Sequence, residues 1–194
     1  MNPFYPEDSR MQPGPRPSKL RPILGTVALC AVAAAAYFLM TPDKPLVLAP
    51  AVLTSVTPSD TFTRVAGNGA RPVHIFISVD CSFCRKIEPE IARVDNVTVH
   101  YHLLPGHSAS ARQDARSVWC AADQAKAWSV YARGGAVAPA QCDDTGLDRN
   151  HALALKVGID RTPAMVFADG RVLNGALSTA VLERELMSSE AGKA

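Results

Sequence analysis

A run of β-branched and aromatic side chains, Val73 to Val79, leads without a break into Asp80-Cys81-Ser82-Phe83-Cys84. No other stretch limits the folds open to this chain as much as this junction. His74 is the only strongly polar residue of the run, which therefore reads as a buried strand. Cys84, Ile87, Ile91 and Val94 then recur at helical spacing. Cys84 thus begins a core-facing stripe while Cys81 stands at the open helix N-terminus. Unpaired amides and the positive end of the helix dipole favour a thiolate there, so the Cys81 pKa is expected below the ordinary thiol range. Arg85 and Lys86 push the same way, and Asp80 opposes them. A thiolate so placed attacks a disulfide in another protein, and Cys84, within bonding reach, resolves the mixed disulfide. That chemistry needs two thiols and no cofactor.

A Cys-x-x-Cys is also half of many zinc sites. A zinc site requires a second ligand pair at close spacing, and Cys120 and Cys142 lie too far apart in sequence to form one knuckle. His100 and His102 share a strand face. Their alternation with Val97, Val99 and Tyr101 reads as a solvated face rather than a metal site.

The first 22 residues are polar and proline-rich, the pattern of a disordered tail. They carry four basic residues against two acidic ones, and removing them from the total of 20 and 18 leaves 16 of each. A neutral remainder carries no nucleic-acid footprint. Ile23 to Met40 is uncharged and apolar, about 27 Å long as a helix and matched to a thin bilayer core. It reads as a retained membrane anchor, with a signal peptide cut near Ala49-Pro50-Ala51 as the alternative. Cys30 lies inside it as a small apolar residue. The basic residues before the run place the N-terminus in the cytoplasm and everything after Thr41 outside it. Thiols tend to pair there, and if Cys81 and Cys84 are the redox pair, Cys120 and Cys142 are left to bond each other.

Residues 41–71, rich in Pro, Thr, Ser and Ala, read as a stalk with one short strand at Leu46 to Leu48. The expected order beyond it is strand 73–79, the Cys-x-x-Cys helix and strand 96–104. A helical stretch over 109–132, ended by Gly134-Gly135, and a helix over 150–157 follow. Strands 164–168 and 171–173, joined by a two-residue Asp169-Gly170 turn, then lead to a C-terminal helix capped by Ser178. Thr162-Pro163 stands at the mouth of the strand at 164, where proline cannot donate to a ladder. An X-Pro bond is trans by default, and a cis bond there would make a tight turn.

Cys-x-x-Cys opening a helix, Pro89 five residues after the second cysteine, Thr-Pro before a strand and a closing hairpin plus helix resemble the thioredoxin fold. Trp119-Cys120-Ala121, the run Val137-Ala138-Pro139-Ala140-x-Cys142-Asp143, and Gly158-x-x-x-Thr162-Pro163-Ala164 resemble the catalytic domain of the DsbC and DsbG family of periplasmic disulfide isomerases. The likeness covers roughly residues 72 to 190. It implies an α/β thioredoxin-like fold, a mixed sheet flanked by helices, with a helical insertion over about 106–160. It also implies that Cys81 attacks and Cys84 resolves. Thr162, a cis Pro163, Ser82 and Phe83 would meet the substrate, and Cys120 would be bonded to Cys142. Ser82-Phe83 and Pro89 depart from the usual isomerase pattern, and a stalk and anchor stand where the family carries a dimerisation domain.

The resulting expectation is a single-pass protein of the bacterial inner membrane with a monomeric thioredoxin-like domain in the periplasm. It would reduce or isomerise disulfides in exported cysteine-containing proteins and be kept reduced by a membrane thiol reductant. A dithiol oxidase and a metal-binding assembly module, such as a copper chaperone, are the alternatives.

Overall fold

The computed structural model describes residues 46–49 and 60–191. The expected tail over 1–22 and apolar segment over 23–40 lie outside the described residues. Among the described residues, no helix is long and apolar enough to cross a membrane.

The elements run β1 (Phe62–Ala66), β2 (Arg71–Ser78), α1 (Ser82–Ile91), β3 (Val97–Leu104), α2 (Ala109–Trp119), α3 (Gln124–Ala132), α4 (Thr145–Lys156), β4 (Ala164–Phe167), β5 (Val172–Asn174) and α5 (Thr179–Ala191). The five strands form one sheet in the order β1-β3-β2-β4-β5. β2 and β3 are parallel, joined through α1, and every other pairing is antiparallel. The mixed sheet with flanking helices is the α/β class expected from the sequence.

Because β2 and β3 are central, helices cover both faces, and residues of either parity are buried. On one side Val73, Ile75 and Ile77 of β2 and Val97, Val99, Tyr101 and Leu103 of β3 join Cys84, Ile87 and Ile91 of α1, Trp128 of α3 and Leu182 and Leu186 of α5. On the other, Phe76, Ala164, Val166 and Val172 pack with Ala154, Val157, Ile159 and Leu48.

The second face corrects the expectation for the histidines. His74 and His100 are register partners and their rings stack, while His102 stacks on Phe76 and is fully buried. α4 roofs this face. The Asn150 side-chain amide donates to the Leu103 carbonyl (3.2 Å), so its oxygen is left to accept from His102 Nδ1 (3.2 Å). His102 Nε2 must then accept from His74 Nδ1, 2.9 Å away. One buried amide thus sets the tautomer of two rings. Burial pushes His74 down to about 3 and His102 down to about 4.

The expected stalk is corrected as well, because part of it belongs to the sheet. Phe62–Ala66 is an edge strand on β3, with Phe62 buried and stacked on Tyr101. Five residues with only one large side chain facing the core carry little periodic signal. Leu46 to Leu48 does run alongside a strand, as a single bridge from Val47 to Arg171. There Gly170, at φ +85°, lies against the Leu48 carbonyl, where a Cβ would collide.

The helical stretch expected over 109–132 divides into two helices. The first ends at Cys120, and the second starts afresh with the Asp123 carboxylate accepting from the Lys126 amide (2.9 Å). α4 begins five residues before its expected start, because Gly146 lets it pass beneath the Trp119 ring. The β4–β5 turn holds three residues rather than two, closed by Phe167 and Arg171 with Gly170 left-handed. At the start of α5 the Thr179 amide is met by the Glu90 carboxylate of α1 (2.9 Å).

Candidate active site

The site is assembled where β2 ends and α1 begins. Cys81 is the N-cap of α1, in extended conformation, and its Sγ accepts from the Cys84 amide (3.1 Å), a bond that a capping serine or aspartate would ordinarily make. Cys84 is fully buried one turn on, and both thiols are free. Arg85 donates to the Val79 carbonyl (3.0 Å), tying the helix back to the strand it leaves.

The loop Thr162-Pro163 arrives from 81 residues away, and its peptide bond is cis. Cys81 Sγ lies 3.2 Å from the Thr162 carbonyl, and the Gly175 amide donates to the Pro163 carbonyl (2.9 Å), pinning the loop from behind. Ser82 and Phe83 are exposed beside it.

The Cys81 pKa falls to about 6, chiefly through a hydrogen bond from the Cys84 thiol, with Thr162 and the Cys84 and Phe83 amides adding to it against the opposing effect of burial. The direction is the one expected, and the helix-start amides contribute as expected; the leading contribution, from the Cys84 thiol, was not foreseen, and neither Arg85 nor Lys86 is among the main causes. Burial first, and then its bond to Cys81, pushes the Cys84 thiol far up. The pair is therefore divided into a reactive thiolate near neutral pH and a proton-bearing partner.

Asp80, which is exposed, stays ionised. Burial raises its pKa, but hydrogen bonds from Ser78 and from the amide (2.8 Å) and ring (3.0 Å) of His107 outweigh that and bring it to about 2. Behind the site stands a group that sequence reasoning missed. Glu88, one turn beyond Cys84, is buried and accepts from Trp128 Nε1 (2.8 Å) and the Tyr101 hydroxyl (3.1 Å). A charged residue on the apolar stripe of α1 was the available signal. Cys120 and Cys142 are joined by a disulfide at the α2 terminus and before α4. Among the described residues no three His, Cys, Asp or Glu side chains converge as metal ligands.

A family model for the thioredoxin-like domain matches residues 58–188. The chain belongs to the thioredoxin-like family. Its start at 58 agrees with β1 being part of the domain. Among relatives, the probable thiol:disulfide interchange protein DsbC of Bordetella pertussis is 33% identical over 124 residues, 63% of this chain and 44% of that protein. The thiol:disulfide interchange protein DsbC of Salmonella typhimurium is 35% identical over 107 residues, 53% of this chain and 45% of that one. The likeness to DsbC read from the motifs thus extends over the domain, and the matched segment spans less than half of either relative. Among solved structures, the disulfide interchange protein of Neisseria gonorrhoeae has a TM-score of 0.64 at 29% identity, covering 70% of this chain and 99% of that one.

Proposed function

We propose that this protein is a thiol:disulfide oxidoreductase that reduces or isomerises disulfides in exported proteins. The observation that carries the reading is the division of the thiols: Cys81 at a helix start accepts from the Cys84 amide and lies 3.2 Å from the Thr162 carbonyl, with Cys84 buried behind it.

The Cys81 thiolate attacks one sulfur of a client disulfide, forming a Cys81–client bond and expelling the other client sulfur as a thiolate. If that thiolate attacks back, the original disulfide returns; if a different client thiolate attacks the client sulfur instead, the client leaves with a new pairing, and in either case the Cys81 thiolate is released unchanged. If Cys84 loses its proton to solvent and attacks Cys81 Sγ, the client leaves as a second thiolate. The client is then reduced by two electrons, and the protein holds a Cys81–Cys84 disulfide for a membrane thiol reductant to reopen. Ser82, Phe83, Thr162 and cis Pro163 form the surface against which the client backbone lies. Cys120–Cys142 is structural. Residues 23–40 anchor the protein in the inner membrane, with the domain in the periplasm and monomeric. The pattern of charge around the apolar run supports that topology.

The test is trapping in cells. Cys84→Ala should accumulate client adducts that dissolve on adding reductant, since attack remains and internal release is gone. Cys81→Ala should trap little. Equal trapping by the two variants would reverse the roles, and none from either would sink the reading.

A further inference from the structure

Two hollows meet at the reactive loop. One, of about 590 Å³, is bordered by Phe83, Lys86, Arg161, Thr162 and Asn174. The other, of about 140 Å³, lies on the far side of the same loop, with Leu104, Ala154, Leu155 and Ile159 as its apolar part and Asp160, His107 and His151 among its polar lining. Arg161 and Thr162 belong to both, and Thr162 is the residue whose carbonyl meets Cys81. Of the few large apolar side chains exposed among the described residues, Phe83 (54%) and Leu155 (66%) border these hollows, one on each side. Exposed apolar groups at the mouths of two linked hollows mark a binding surface better than either hollow alone. The larger hollow has a distinct charge: Lys86 Nζ lies 5.0 Å from the Phe83 ring centroid, and the Arg161 guanidinium, itself 3.0 Å from Asp160, stands on its border.

We infer that the helical insertion supplies a second client subsite, the α4 hollow at Leu155, and that the clients are extended segments with apolar side chains on both sides of their cysteine. This rests on the proposed function. A client cysteine held at Cys81 sends its neighbours in opposite directions past the loop. The neighbour on the α1 side meets the Phe83 ring with Lys86 over it, which selects an apolar side chain next to a carboxylate. The neighbour on the α4 side meets the aliphatic side chains around Leu155 within a partly polar hollow, which receive an apolar side chain. A folded client presents its cysteine without such flanking groups, so the surface selects unfolded chain.

The test uses full-length protein and fluorescent peptides in which serine replaces the client cysteine, so that no thiol chemistry enters. A leucine is moved through the three positions before and the three after the serine, and affinity is read by anisotropy. Leucine at one position on each side should tighten binding about tenfold. Leu155→Ser should remove the gain on one side only, and Phe83→Ser the gain on the other. An aspartate beside the leucine on the Phe83 side should tighten binding further, and Lys86→Gln should cancel that increment. A scan that is flat on one side, a Leu155→Ser variant that weakens every peptide equally, or no binding by any peptide would overturn the inference. Failure of Cys84→Ala to trap clients would instead strike the proposed chemistry and leave this binding result standing.

Discussion

The molecule carries two cysteine pairs that differ in almost everything except their distance from a helix end. Cys120 and Cys142 close a 22-residue separation with a bond, whereas Cys81 and Cys84 are free. Loop length does not explain the contrast. On a chain-entropy account the longer loop gains less than about 2 kcal/mol over the shorter. The surroundings explain it. Cys81 accepts hydrogen bonds that stabilise a thiolate and lies half-exposed, while Cys84 is buried and keeps its proton. Around the bonded pair the neighbours act instead on the chain: the Trp119 indole donates to the Asp143 carbonyl (3.2 Å), and Asp144 is held by Arg116 (2.8 Å). One pair is a low-pKa thiol beside a buried, proton-bearing one, and the other is embedded in a clasp between α2 and α4.

The largest effect that tests this contrast is on rate. Cys81→Ser should cut disulfide turnover by roughly a thousandfold or more, since the nucleophile itself is removed. A comparable loss from Cys120→Ala/Cys142→Ala in well-folded protein would erase the distinction between the pairs. That double variant should instead lower unfolding free energy by about 3 kcal/mol in urea titrations and keep thiol exchange.

Acid sharpens the contrast on the α4 side. His102 has a folded-state pKa of about 4, held down by burial, so above its unfolded value it costs nothing. As pH falls below about 6.5 the unfolded chain takes up the proton first, and stability is lost until His102 itself titrates. The loss from His102 should reach roughly 2 kcal/mol by about pH 4.5, with His74, held down to about 3 by the same burial, adding a similar amount; it is read as a lower urea midpoint, and His102→Gln should remove about half of it. An unchanged midpoint in the parent protein would show that α4 is not docked through a neutral histidine.

The smallest effect concerns Cys81 alone. Its alkylation by iodoacetamide should rise with a midpoint near pH 6, and in Cys84→Ala that midpoint should move up, because the Cys84 thiol is the largest stabiliser of the thiolate. No movement would assign the lowered pKa to the helix start and its amides.

What the sequence alone determined is what short-range physics controls. A strand running into Cys-x-x-Cys, a helix stripe beginning at Cys84 and a turn at Asp169-Gly170 each depend on contacts within a few residues, so period and turn chemistry expose them. The lowered pKa of Cys81 followed from its place at a helix start, for the same reason. Tertiary structure decided the rest. β1 has one core-facing large side chain and becomes a strand only because β3 offers an open edge and Tyr101 a ring for Phe62. His102 looks solvated by alternation and is buried because α4 roofs that face with Asn150. Glu88 sits on an apolar stripe and is tolerated because Trp128 and Tyr101, on two other elements, both donate to it. The contact that completes the site, Thr162 against Cys81, spans 81 residues. Local sequence sets the bond angles and the caps, but a meeting across such a separation depends on the packing of every element between, and only the folded sheet fixes that.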